Sequence, residues 1–200
     1  MNQTLKYLIT GLLVFLSVSL YSQNASLLER LYEGFASHCV VIDCEFTMNT
    51  GGSLTKGKCK VEVQGDSFIM TGSGVDIFCD GKSVWTLDND AKEAYIEPFG
   101  DGVFNPARIF SDMQKLSSVV SSSAVGNGMK YELTARQTCG ISKAVLTIGA
   151  DALLKSADFT LDDGNVISIN VLTMENDPLK NKGHFSPSNL SSDWIITDLR

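Results

Sequence analysis

Residues 57–98 read GKCKVEVQGDSFIMTGSGVDIFCDGKSVWTLDNDAKEAYIEP, and the fold turns on how this stretch is divided. Lys58 to Gln64 alternates polar and apolar side chains without a break, the period of a strand with one apolar face. Gly65-Asp66 marks a turn, Phe68-Ile69-Met70 a second strand, and Ser73-Gly74 a second turn. Val75, Ile77 and Cys79 then alternate with Asp76, Phe78 and Asp80, and Asp80-Gly81 is a strong hairpin signal. Val84 to Leu87 is the next strand, Asp88 to Lys92 the next turn, and Ala94 to Glu97 the strand after it. Five short strands joined by tight turns predict an antiparallel meander. Val61, Val63, Phe68, Met70, Val75, Ile77, Trp85 and Leu87 are expected to share its apolar face.

Outward from the meander, Asn24 to Ala36 carries Leu27, Leu28, Leu31 and Phe35 at helical spacing, with Asn24 as a candidate N-cap. Cys39 to Met48 alternates as a strand, and Asn49 to Lys56 is a Gly/Ser/Thr loop. After Gly100-Asp101-Gly102, Asn105-Pro106 opens a second helix with Asn105 as N-cap and Pro106 in the first turn. Ile109, Phe110, Met113 and Leu116 form its apolar stripe, and Ser117 to Ser123 ends it as a Ser-rich stretch. Strands are expected over Met129 to Ala135, Lys143 to Ile148, Ser156 to Leu161, Val166 to Met174 and Ile195 to Leu199. Asp162-Asp163-Gly164 is a further hairpin turn, and Lys180 to Gly183 is a polar loop. Two helices among about ten antiparallel strands predict a mainly β fold, a strongly curved sheet that encloses the helices.

Lys6 is the only charge before the apolar run Tyr7 to Leu20, which has the shape of a secretory signal. Cleavage is expected after Ser22, dividing the chain into a signal peptide, 1–22, and one domain, 23–200. An uncleaved N-terminal anchor is the alternative. Loss of Lys6 alone takes the net charge from −7 to −8. No Cys follows the apolar run closely, so a lipid anchor on this chain is not expected. A pI near 4.8 with no Lys/Arg cluster argues against nucleic acid as a partner.

The five cysteines, Cys39, Cys44, Cys59, Cys79 and Cys139, leave at least one thiol unpaired within the chain. Cys59 and Cys79 fall in the apolar phase of their strands and read as small buried hydrophobes. No CxxC spacing supports a zinc site. His38 and His184 are each isolated, and His38-Cys39 has no base and orienting partner in view. GxSxG, GxxxxGK[ST] and HExxH are absent. Asp88-Asn89-Asp90 begins like a calcium loop but lacks its later Gly and Glu. Asn24-Ala25-Ser26 and Asn189-Leu190-Ser191 match the glycosylation sequon. No catalytic residue, metal or cofactor is expected; the chemistry points to a binding protein.

The ordered set Gly65-Asp66-Ser67-Phe68, Cys79-Asp80-Gly81-Lys82-Ser83-Val84-Trp85, Glu93 to Pro98, Asn105-Pro106, Asp163-Gly164, Phe185-Ser186-Pro187 and Thr197 to Arg200 resembles the LolA family of periplasmic outer-membrane lipoprotein carriers. The resemblance covers nearly the whole chain after Ser22. It implies an unclosed β-barrel with a helical lid, the space between them holding lipoprotein acyl chains. It further implies a periplasmic monomer that takes cargo from an inner-membrane lipoprotein-releasing transporter and hands it to an outer-membrane acceptor. The lining expected from the residues is the meander set above, faced by Ile109, Phe110 and Met113 from the lid. Where family members carry an Arg-Pro pair whose Arg bonds the lid, this chain has Gln64-Gly65, and a neutral Gln lacks the charged fork of Arg. A sensor of stray lipoprotein on the same scaffold is the alternative function; an exported hydrolase is disfavoured by the missing motifs.

Overall fold

The computed structural model describes residues 27–100, 106–136, 140–188 and 190–200. The signal segment, Asn24, Asn105, Cys139 and Asn189 lie outside the described residues. Helix α1 covers 27–37. Strands β1 (Cys39–Thr50), β2 (Ser53–Gln64), β3 (Ser67–Gly72), β4 (Val75–Cys79), β5 (Ser83–Asp88) and β6 (Glu93–Pro98) follow. Then come α2 (Pro106–Leu116), β7 (Ser117–Val125), β8 (Gly128–Ala135), β9 (Ile141–Ile148), β10 (Leu154–Leu161) and β11 (Val166–Asp177). A single 3-10 turn, Lys182–Phe185, and β12 (Ile195–Asp198) close the chain. All twelve strands form one sheet in the order β12-β6-β5-β4-β3-β2-β1-β11-β10-β9-β8-β7. The edge strands β7 and β12 do not pair with each other, so the barrel is unclosed, as the family resemblance implies.

Two long connections follow from this order. Strand β6 lies next to the β12 edge of the sheet and β7 is the opposite edge, and the chain between them includes α2. Phe110 and Met113 on α2 join Leu28, Leu31, Tyr32 and Phe35 of α1 in the core cluster. These helices therefore fill the inside of the curve, against Val63 and Phe68 on one wall and Tyr131, Leu146 and Phe159 on the other. The return from β11 to β12 must cross the β1–β6 half again, and residues 178–188 do so over the outer face as a strap. Phe185, fully buried, packs there with Cys39 and Ile69.

The tight turns are where the sequence places them. Gly81 and Gly164 have φ of 85° and 84°, and the Asp80 carboxylate accepts hydrogen bonds from the Lys82 and Ser83 amides at 2.8 and 2.9 Å. The Asp88 carboxylate likewise accepts from the Asp90 and Ala91 amides, a plain turn. Three expectations are corrected. Asn49 to Lys56 is not a loop: β1 and β2 run on to a two-residue turn at Gly51-Gly52, both with positive φ (57° and 87°), which suits a tight hairpin. Ser117 to Ser123 is strand β7, whose backbone bonds come from β8 and whose side chains are largely exposed. Serines that look like a helix terminus are tolerated in an edge strand, where little burial is required. The last strand pairs parallel to β6 and is the one exception to antiparallel order.

Close approach at the β8 end makes a test of this register. A Cβ at Gly128 would lie 2.1 Å from the Ile148 carbonyl oxygen, a backbone atom, whereas at Gly100 it would meet nothing within 4 Å. Gly128→Ala should cost about 1–3 kcal/mol in urea unfolding, and Gly100→Ala less than about 0.5 kcal/mol. Equal effects would show that β8 does not pass β9 this closely.

Candidate functional site: the inner face and its helical cover

Directly opposed residues of paired strands share a face of the sheet. Val63 opposes Phe68, Phe68 opposes Cys79, and Cys79 opposes Val84. Val61, Met70, Ile77 and Thr86 form the next row on the same, inner face. Val61, Val63 and Phe68 are buried there, and Met70 and Ile77 are half-buried against the same cluster. Val75 shares this face at its margin and is 37 % exposed. Trp85 and Leu87 do not join it. Trp85 opposes Phe78 and Ile96, and Leu87 opposes Asp76 and Ala94, which puts both on the outer face. The sequence takes Trp85 and Leu87 for the inner phase because they alternate with Thr86. The three-residue turn at 80–82 sets the phase instead, turning Val84 inward.

Of the predicted lid residues, Phe110 and Met113 are buried and Ile109 is half-buried against the cluster. Phe110 stacks on Phe35 of α1 at 4.1 Å between centroids and meets Phe159 of β10 edge-on at 6.3 Å. Such pairs contribute roughly 0.5–1.5 kcal/mol beyond their burial. Sequence reading leaves α1 out of the site, although its stripe at Leu28, Leu31, Tyr32 and Phe35 is its visible signal. The β8–β10 wall, with Tyr131, Leu133, Leu146 and Phe159, is missed as well. The Leu28 main chain hydrogen-bonds the Tyr131 hydroxyl and so ties α1 to β8.

A cleft of about 230 Å³ opens between the two helices and the β2–β3 turn. Tyr32, Phe35 and Ala36 line it from α1, Phe110, Ser111 and Gln114 from α2, and Gly65-Asp66 from the turn. Burial pushes the Tyr32 hydroxyl up to about 12, and its oxygen has no hydrogen-bond partner. Among the described residues no group of three or more His, Cys, Asp or Glu side chains is placed to hold a metal. No helix among them is long and apolar enough to cross a membrane.

The outer face is held by polar bonds to the strap. Gln64 donates from Nε2 to the Lys180 carbonyl at 3.0 Å and accepts from the Lys180 amide at 2.8 Å. The side chain that stands where the resemblance expects a lid latch therefore fastens the strap, on the side away from α1 and α2. His184 Nε2 lies 2.7 Å from Glu62 Oε2, and Lys60 Nζ 3.2 Å from Glu62 Oε1. Burial alone would raise the Glu62 carboxyl; the bonds from His184 and Lys60 outweigh it and hold Glu62 below the usual carboxylate range.

A carboxyl depressed by folding stabilises the native state above its unfolded pKa, about 4.3 for Glu, and loses that contribution as pH falls through the folded value. In urea unfolding between pH 5.5 and pH 3, wild type should therefore lose about 1 kcal/mol or less more than Glu62→Gln. Identical pH profiles would show that Glu62 is not held by the strap. Removing the central ring, Phe110→Ala, should cost about 3–5 kcal/mol in the same assay; a loss under 1 kcal/mol would show that α2 does not seat on the inner face.

No family model matches the chain, and no curated protein matches it. Solved structures similar to it include an uncharacterized conserved protein from Thermus thermophilus, 14 % identical, with 87 % of this chain and 98 % of that one covered at a TM-score of 0.55. The LolA superfamily protein NE2245 from Nitrosomonas europaea is 13 % identical over 82 % of this chain and 97 % of its own, at a TM-score of 0.44. LprF from Mycobacterium bovis is 10 % identical over 85 % and 96 %, at a TM-score of 0.44. The first of these shares the fold over nearly its full length. A LolA superfamily protein is thus among the solved structures this chain is similar to.

Proposed function

We propose that this protein is an exported, monomeric carrier that shields lipoprotein acyl chains against the inner face of its open sheet. It moves them through the periplasm from an inner-membrane releasing transporter to an outer-membrane acceptor. The observation that carries this reading is the nature of the inner wall and its cover. Val61, Val63, Phe68, Met70 and Ile77 form a continuous apolar surface, and amphipathic helices cover it instead of a closed ring of strands. A helix seated by side-chain packing can be lifted as a unit; a strand cannot leave without breaking its ladder.

Magnitudes favour exchange of helix for lipid. The existing cleft of about 230 Å³ is below the roughly 300–1,000 Å³ of ordinary small-molecule sites, so an acyl chain requires the cover to move. If α2 alone lifts and α1 stays seated, taking Phe110 and Met113 off the wall costs about 1.5–3 kcal/mol each. Burying a long acyl chain returns about 0.8 kcal/mol per CH₂, on the order of 10 kcal/mol in all. The wall then supplies shielding without a specific polar contact, and half-buried Met70, being flexible, suits a disordered chain. No catalytic residue, cofactor or metal enters this function.

Mass spectrometry of the protein isolated from its native envelope should find co-purifying lipoprotein or lipid. A fluorescent fatty-acid probe supplies the residue-level test. Ile77→Glu places a carboxylate on the inner wall, and the cost of desolvating it should abolish probe binding. Its thermal unfolding should shift less than that of Val63→Glu, because Ile77 is half-buried and Val63 is 1 % exposed. A folded Ile77→Glu that binds the probe as wild type does would remove the inner wall from the function.

A further inference from the structure

Cys44 of β1 and Cys59 of β2 are directly opposed in the antiparallel register, and their Sγ atoms are 3.4 Å apart. Both sit on the inner face, in the same phase as Ile42 and Val61. Two other cysteines lie apart from them. Cys39 is buried on the outer face beside Phe185, and the Cys79 thiol donates to the Asp66 carbonyl at 3.4 Å. The two members of the pair are not equivalent. Cys44 is 4 % exposed, at a register shift of β1 against β11, while Cys59 is partly exposed.

We propose that Cys44 and Cys59 are a redox-active cross-strand pair, closed to a disulfide by exchange with an external disulfide such as that of a thiol–disulfide oxidoreductase. Sulfurs in van der Waals contact on fixed neighbouring strands need only a small side-chain rotation to reach bonding distance, about 2.0 Å. The order of attack follows from the asymmetry. Cys59, partly exposed, is reached by an external disulfide, and Cys44, 4 % exposed, is not, so Cys59 is the attacking thiol. Its thiolate attacks the donor disulfide, forms a mixed disulfide and releases one donor thiolate. Cys44, losing its proton, then attacks Cys59 Sγ and releases the second. Two protein thiols are oxidised, one external disulfide is reduced to two thiols, and a reducing dithiol runs the exchange backwards. Neither step needs a bound lipid.

The test uses the purified protein in oxidised/reduced glutathione, quenched by alkylation. Wild type should carry two fewer alkyl labels than the fully reduced chain, its free thiols falling by two from the five in the sequence. Fragmentation should link Cys44 to Cys59. Cys39→Ala and Cys79→Ala should keep the link. Cys44→Ala should instead accumulate a glutathione adduct on Cys59, while Cys59→Ser should gain none at Cys44. Absence of the link in folded wild type under oxidising buffer, or a link from Cys59 to any other cysteine, would overturn the proposal. Because the wild-type map decides, a variant that fails to fold leaves the test intact.

Discussion

The contact of Phe110 with Phe35 on one side and Phe159 on the other is what the architecture depends on. A twelve-stranded sheet that curves without closing has a concave apolar face and no strand to complete it. That face must be filled from within the chain or left to water, and large exposed apolar surfaces are unfavourable. The two helices fill it with aromatic rings that touch each other and both walls. The same side chains that stabilise the empty protein therefore occupy the concave apolar surface that a ligand would use.

Inner and outer faces are built by different physics. Inside, the contacts are almost wholly apolar: Val63, Phe68, Leu31, Met113 and Leu146 pack without directional bonds. Outside, the strap is registered by paired bonds between Gln64 and Lys180 and by the Glu62–His184 contact, around one buried anchor, Phe185. Directional bonds fix one geometry; apolar packing tolerates substitution of one apolar occupant by another. The division fits a protein whose outer connection stays in place while its inner cover moves.

The polar groups at the inter-helix cleft are the unpartnered Tyr32 hydroxyl, Ser111, Gln114 and Asp66, and among the described residues no group of three or more His, Cys, Asp or Glu side chains is placed to hold a metal. Cys44 and Cys59 place two thiols in contact on the inner face. They sit together because the β1–β2 register runs from Val40 opposite Val63 to Thr50 opposite Ser53 without slipping.

Much of the fold was legible in the sequence because it rests on local rules. Alternation over Lys58 to Gln64, the Asp80-Gly81 and Asp163-Gly164 turns, and the 3.6-residue stripes of Leu31 and Phe35 or Phe110 and Met113 depend on near neighbours alone. They were enough for a mainly β chain with two helices and a strongly curved sheet; that the sheet stays open came from the family resemblance. Which residues share a face was only partly legible, because facing is set by register, and register is set by pairing at a distance. That is why Val61, Val63, Phe68, Met70 and Ile77 meet on the inner wall while Trp85 and Leu87 turn outward. Strand β7 was hidden because Ser-rich segments gain strand structure only from a partner, here β8. The partnership of Gln64 with Lys180, and of Cys44 with Cys59 fifteen residues away, exists only once the strands are laid side by side. Local sequence determined what each segment could become; the sheet order decided which side chains could touch.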